Sequence, residues 1–328
     1  MIKRRELLSA LGLSFVTAPL TSLAQQQNKV WRIGYLSGGS RPADGLPPGA
    51  LRQGLAELGY VEGRNVAYEG RWGEGKAASL RGLVAELVRL RVDAIVVVGG
   101  SASEAAKNAT STIPIILAGG GDAVRSGLVA SLSHPGGNLT GISDLDIELS
   151  AKRLEILIEM VPNAARMAVL WNADDFAMTL RYREIAKAAS DRRVAVQAVG
   201  VREPEDFEVA FAAMTRERPD ALFLVADALT GLNRKRVIEF AAAQRIPAMY
   251  EFDFVVRDGG LISYGPRIDD NLRRVAYYLD RILKGAKPAD LPMEQPTRFY
   301  LFVNLKTAKA LGIKIPQSIL LRADIVTE

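Results

Sequence analysis

Apolar residues along this chain arrive in short unbroken runs, and between the runs they recur every three or four positions. Residues 94–98 (AIVVV) and 113–118 (IPIILA) are two such runs, and each ends in glycine. Strands of a parallel sheet buried on both faces read as continuous Val/Ile/Leu runs rather than as alternations. Similar runs at 30–36 and 65–72 predict two earlier strands, and 139–142 a short fifth. Between them, residues 50–58 read as a helix stopped by Gly59. Residues 76–90 place Leu80, Leu83, Val84, Leu87 and Val88 on one helical face. A helical pattern is also expected after residues 99 and 119.

The scheme then restarts. Helices are expected at 147–160, 179–192, 204–216 and 232–245. Strands are expected at 167–171, 194–199, 221–226, 248–250 and 261–264. Residues 30–142 and 166–264 thus repeat one βα pattern, and alternating βα units give doubly wound parallel sheets. The fold class expected is α/β, with two Rossmann-like lobes joined by a hinge. The tail adds a helix at 271–283, a strand at 299–304 and a helix at 306–311, pieces expected to return across the lobes. The expected division is residues 25–142 plus about 266–296 for one lobe, and 143–265 plus about 297–328 for the other.

Doubly wound sheets bind ligands in the crevice beyond the carboxyl ends of their strands. Glycine there lets a ligand approach the backbone, and helix N-termini offer unpaired N–H groups. In the first lobe this rim holds Ser37, Gly38, Gly99, Gly100, Ser101, Gly119, Gly120 and Asp122. In the second it holds Asn172, Asp227 and Glu251, with the strand-end aromatics Phe176, Tyr250, Phe252 and Tyr264. Hydroxyls and backbone N–H groups suit a carboxylate or amino group, and aromatic faces stack on planar ligands. An acidic ligand head is expected at a helix N-terminus following Gly99 or Gly119.

Composition narrows the function. The 328 residues contain no cysteine and one histidine. Disulfides, thiolate metal sites and Cys or Ser-His nucleophiles are therefore excluded or poorly supplied. His134 lies in a Pro-Gly-Gly turn. Residues 70–76 fit GxxxxGK, but Ala77 stands where a phosphate loop needs a Mg²⁺-holding hydroxyl. Asp122, Asp227, Glu251 or Asp253 could act as a base, yet no motif names a reaction. No enzyme activity, metal or cofactor is expected. The net charge is +5, and Lys3, Arg4, Arg5 and Glu6 account for +2 of it. No basic cluster follows, so no nucleic-acid partner is expected. Residues 1–24 read as an export signal: a basic start, an apolar stretch, and Ser22 and Ala24 in a small-x-small cleavage pattern. The Arg4-Arg5 pair leaves Sec and twin-arginine export both open.

Five stretches carry a family resemblance. They are 54–65 (GLAELGYVEGRN), 109–115 (ATSTIPI), 131–141 (SLSHPGGNLTG), 259–265 (GGLISYG) and 304–312 (NLKTAKALG). In this order the chain resembles the solute-binding proteins of ABC transporters, in their tryptophan/tyrosine-type branch. The resemblance implies the type I periplasmic binding architecture. It also implies a monomer that captures a small molecule, an amino acid or a small aromatic or carboxylate compound, between its lobes in the periplasm. ABC permease membrane subunits would be its partners. A sensory module serving a signalling receptor, or an enzyme using a cleft carboxylate, are the alternatives. One departure stands out: Asp122-Ala123, preceded by three glycines, replaces the family's usual Asp-Pro. The loop is expected to be differently shaped and more mobile.

Overall fold

In the computed structural model, which describes residues 29–328, two sheets stand side by side. The first is built from β1 (Trp31–Ser37), β2 (Val66–Trp72), β3 (Ala94–Val98), β4 (Ile115–Ala118) and β5 (Leu139–Ile142). Its order is β2-β1-β3-β4-β5 and every pairing is parallel. Both faces are covered. Ile33, Tyr35, Val96, Ile116 and Ala118 pack under Leu51 and Leu55 of α1 (Gly49–Glu57). Leu36, Ile95, Val97, Ile115 and Leu117 pack on α2 (Leu80–Arg89) and α3 (Gly100–Ala109). Successive residues of a strand feed opposite cores, which is why these strands read as unbroken apolar runs.

The second sheet contains β6 (Arg166–Asn172), β7 (Ala195–Val201), β8 (Ala221–Leu224), β9 (Ala248–Tyr250), β10 (Ile262–Gly265), β11 (Tyr300–Asn304) and β12 (Ile325–Thr327). Its order is β12-β11-β10-β9-β8-β6-β7. Helices α4 (Asp146–Met160) and α5 (Phe176–Asp191) cover one face. The other is covered by α6 (Asp206–Glu217), with α7 (Ala228–Leu232), α8 (Arg234–Gln244) and α9 (Asp253–Arg257). The α/β fold class with two lobes is therefore borne out.

The chain passes between the lobes three times, at residues 143–145, 266–267 and 294–299. The first and third passages are tied by Ser143 N donating to Glu294 O at 2.9 Å. After the second passage, α10 (Ile268–Leu283) returns to the first lobe, where Leu272, Val275, Ala276 and Leu279 complete its core. A β-carbon at Gly54 would stand 2.9 Å from that of Ala276, so this glycine lets α1 and α10 touch.

Several expectations are corrected. The sheets are not parallel throughout, because β11 runs antiparallel to β10. No helix follows β4. Gly119, Gly120 and Gly121 all have positive φ, at 110°, 135° and 114°, and a turn closes over residues 122–128. The helix expected at 232–245 is divided between α7 and α8 at Asn233, whose Nδ2 donates to Leu229 O. The sequence pattern also missed α9, α12 (Gln317–Arg322) and β12. Helix α11 (Leu305–Leu311) follows β11 as expected. The export signal expected at 1–24 lies outside the described residues. Among the described residues, no helix is long and apolar enough to cross a membrane.

Candidate ligand-binding site

The carboxyl ends of both sheets face one seam, and the lobes touch along it. A β-carbon on Gly38 would come within 2.7 Å of that of Ala228, one on Gly75 within 3.1 Å of Leu232 Cδ1, and one on Gly121 within 3.2 Å of Ala177 Cβ. Ser101 Oγ donates across the seam to Asp175 Oδ2 at 2.8 Å. Between these contacts lies a cavity of about 240 Å³. That is smaller than the ~300–1,000 Å³ of drug-sized sites, so it suits a ligand of amino-acid size.

The first lobe's wall is mostly backbone: Ser37, Gly39, Val98, Gly99, Ala118, Gly119 and Gly120, with Asp144, Ile268 and Asn271 at its edge. Gly99 has φ +96° and ends β3 just before α3. A β-carbon at Gly120 would stand 2.4 Å from Gly99 Cα, so neither loop could approach the other with a side chain there. Asp144 is buried. Its Oδ2 accepts from Gly120 N at 2.6 Å and Gly121 N at 3.3 Å, which holds the three-glycine loop in place.

The second lobe's wall is made of side chains: Arg181, Asp227, Leu232, Arg234, Phe252 and Phe254, beside Ala226, Ala228 and Gly231. Asp227 caps α7. Its Oδ1 accepts from Thr230 N and Thr230 Oγ1, both at 2.9 Å, and its Oδ2 from Asn172 Nδ2 at 2.6 Å. Burial nevertheless pushes the Asp227 carboxyl above its ordinary value, with these hydrogen bonds pulling the other way. The Phe252 and Phe254 rings stack at 5.8 Å between centroids, and the Arg234 guanidinium lies 5.3 Å over Phe254. Arg234 is also paired with Asp258 at 2.6 Å.

Beneath this wall, Glu251 sits fully buried between two guanidiniums. It pairs with Arg181 from α5 and with Arg153 from α4, the latter at 3.4 Å. Arg153 Nε donates to Tyr264 O at 2.6 Å, which ties the cluster to β10.

The structure thus places Ser37, Gly99, Gly119, Gly120 and Asp227 in the cavity wall, as the strand-end reasoning expected. Gly38, Gly100 and Ser101 lie at the lobe contact instead. Asn172 and Glu251 stand one layer behind, holding Asp227 and Arg181. Four expected site residues are placed elsewhere. Asp122 caps its own turn, accepting from Val124 N and Arg125 N. Phe176 starts α5 and is 59% exposed. Tyr250 is buried in the core of the second lobe and covers Gly260. Tyr264 packs toward Phe299 and the opposite core. A strand alternates faces, so a terminal aromatic points into a core as readily as past the sheet's end.

The phosphate-loop spacing also has another cause. A β-carbon at Gly70 would overlap the ring of Trp72, so that glycine makes room for an indole. The Asp122-Ala123 departure is accommodated locally. Ala123 N donates to Ser143 Oγ at 3.1 Å, a bond that proline could not make. Sequence reasoning missed Arg181, Asp144, Asn271, Arg234 and Phe254. Asp144, two residues past the end of β5, carried the same strand-end signal as Asp227. Arg181 lies mid-helix and carried none.

Comparison with known proteins places this site in context. The curated tyrosine-binding protein of Clostridioides difficile (strain R20291) is 25% identical over 261 residues, covering 79% of this chain and 74% of that one. The structure of an ABC domain from Streptococcus pneumoniae in complex with L-Trp superposes with TM-score 0.83 at 26% identity, over 91% of this chain and 100% of that one. A conserved domain protein from Vibrio cholerae superposes with TM-score 0.84 at 25% identity, over the same shares. Residues 42–327 match the family model described as ABC transporter substrate binding protein. With a match over that length and two strand-end rims meeting at one cavity, the chain belongs to the ABC transporter substrate binding protein family.

Proposed function

We propose that this protein is the solute receptor of an ABC importer and that its ligand is a small amino acid with an aromatic side chain. The observation that carries the reading is the seam cavity itself. It is of amino-acid size, with carboxylates at Asp144 and Asp227 on opposite walls and the Phe252–Phe254 pair beside them. The similarity to a tyrosine-binding protein and to an L-Trp complex supports the aromatic preference.

In this reading, residues 25–142 plus about 266–296 form one lobe and 143–265 plus about 297–328 the other. The three passages bend as a hinge, and the contacts at Gly38, Ser101 and Gly121 belong to the closed form. Ligand contacts come from Ser37, Gly99, Gly119, Gly120 and Asp227, with Asp144, Arg181 and Phe252. A micromolar Kd needs about 8 kcal/mol of net binding free energy, within reach of a few charge-assisted hydrogen bonds and one buried ring. The closed monomer then docks on its permease outside the cytoplasm, with residues 1–24 as the export signal.

Isothermal titration of residues 25–328 against the twenty amino acids tests the reading. Tyrosine, tryptophan or phenylalanine should bind with micromolar or tighter Kd. A panel without any binder would end the proposal.

A further inference from the structure

We propose that Asn271 reads the ring of the ligand: its side-chain amide hydrogen-bonds a polar ring atom, so the site takes tyrosine and tryptophan in preference to phenylalanine. This deepens the aromatic amino-acid reading of the seam cavity and rests on it.

Polar side chains line the cavity at Ser37, Asp144, Arg181, Asp227, Arg234 and Asn271. All but the last are engaged within the protein. Ser37 Oγ accepts from Gly39 N at 3.1 Å. Asp144 accepts from the N–H groups of Gly120 and Gly121, and Asp227 from Asn172 and Thr230. Arg181 pairs with Glu251 and donates to Ala226 O, and Arg234 pairs with Asp258. The main-chain N–H of Asn271 donates to Arg267 O at 3.4 Å, but its side-chain amide has no hydrogen-bond partner among the described residues.

Asn271 is nevertheless only 6% exposed. Buried polar groups are nearly always paired, because an amide taken out of water without a new partner loses its hydration and gains nothing. An unpaired amide in the wall of a cavity is a group kept for the ligand. Asn271 also borders a second cavity at the hinge, beside Arg267 and Glu294. Its Nδ2, however, stands 3.4 Å from where a Gly119 β-carbon would be, and Gly119 lines the seam cavity alone of the two. The amide nitrogen therefore faces the seam.

Its surroundings say what it would meet there. Asn271 is the fourth residue of α10, and Ile268 lies three positions earlier on the same helical face and lines the same cavity. An apolar flank beside an uncharged amide matches an aromatic ring that carries one polar atom. The ionised ends of an amino acid are better served by ionisable groups such as Asp144 and Asp227, since hydrogen bonds between charged partners are the stronger ones. An amide serves either ring, having N–H donors and a carbonyl acceptor. A phenol hydroxyl can use both, and an indole N–H donates to Oδ1. Phenylalanine offers neither. Its ring would drive water from Asn271 and leave the amide unpaired, the condition under which a site rejects an analogue most strongly.

The test is isothermal titration of residues 25–328 and two variants with L-tyrosine, L-tryptophan and L-phenylalanine. The wild type should bind phenylalanine about 10-fold more weakly than the other two, or weaker still. Asn271→Leu keeps the shape and removes the amide. Tyrosine and tryptophan should lose about 10- to 100-fold in it, while phenylalanine changes by less than ~3-fold, so the preference collapses. Thermal unfolding of ligand-free Asn271→Leu should not fall below that of the wild type, because no protein hydrogen bond is lost. A residue with a merely structural role would lower it. If Asn271→Leu does not fold, Asn271→Ala carries the test, with the ratio of the affinities again falling about 10-fold.

Three results overturn the inference while leaving the amino-acid site standing. One is a wild type that binds phenylalanine as tightly as tyrosine and tryptophan. Another is a preference that survives the substitutions. The third is an equal loss for all three ligands, which would assign Asn271 to the head group they share. A wild type that binds none of them removes the site reading and this inference together.

Discussion

The two walls of the seam are made of different material. On the first lobe, Gly39, Gly99, Gly119 and Gly120 present backbone. On the second, Arg181, Asp227, Arg234, Phe252 and Phe254 present charge and rings. The glycine side achieves close approach and the side-chain side supplies chemistry. A backbone wall tolerates no added atoms, because its loops already lie against each other at Gly99 and Gly120. A side-chain wall tolerates changes of size better than changes of charge, because its ionised groups are buried and mutually compensated. Substitutions in the first lobe should therefore act through sterics, and those in the second through electrostatics.

The sharpest break of that contrast is Glu251→Ala. Removing the carboxylate leaves Arg153 and Arg181 buried side by side, a loss of about 3–5 kcal/mol in urea unfolding. A loss under ~1 kcal/mol would mean that the second wall is not electrostatically tuned.

Gly120→Ala comes next. Its φ of +135° disfavours any side chain, and the added carbon would stand 2.4 Å from Gly99 Cα. About 2–4 kcal/mol should be lost, combining left-handed strain with overpacking. Thermal unfolding like that of the wild type would show that the glycine wall has slack.

Ser101→Ala removes a bond that joins the walls directly. If the lobes close as proposed, only the closed form has that bond, so ligand affinity should weaken roughly 5-fold, about 1 kcal/mol. The stability of the ligand-free protein should hardly move. Titration and small-angle scattering together read the difference, and an unchanged Kd would deny the contact any role in closure.

The smallest effect concerns pH. Burial raises the folded-state pKa of Asp227 above its ordinary 3.8. Its contribution to stability is then fully present below the unfolded pKa and lost as pH rises through the folded one. Asp227→Asn should remove that fall from the stability profile, so the wild type gains on the variant as pH is lowered toward about 4. Hydrogen bonds from Asn172 and Thr230 to the ionised carboxylate keep the effect small. Parallel profiles for the two proteins would contradict the assignment.

Strands buried on both faces were the most legible feature. The runs at 94–98, 139–142 and 248–250 coincide with β3, β5 and β9: every residue of β3 and β9, and both ends of β5 at Leu139 and Ile142, feed one core or the other. The glycine rim was legible for a related reason. A glycine directly after such a run marks a sharp change of direction, and Gly99 and Gly119 both turn with positive φ. Arg181 was not legible. A single arginine inside a helix of ordinary composition looks like a solvated position, and its burial depends on Glu251, seventy residues away. Tyr250 misled for the opposite reason. It ends a strand, yet its ring turns into the core against Gly260.

Local order along the chain determined the repeated βα units, the two sheets and the glycines at their edges, since hydrophobic period and turn chemistry are properties of neighbours in sequence. Tertiary structure alone decided which carboxylate occupies which donor cluster and where the buried arginines point. It also decided that α10 joins the first lobe and β11 the second. Each of these depends on contacts between residues far apart in the chain, whose free energy exists only once both lobes are folded.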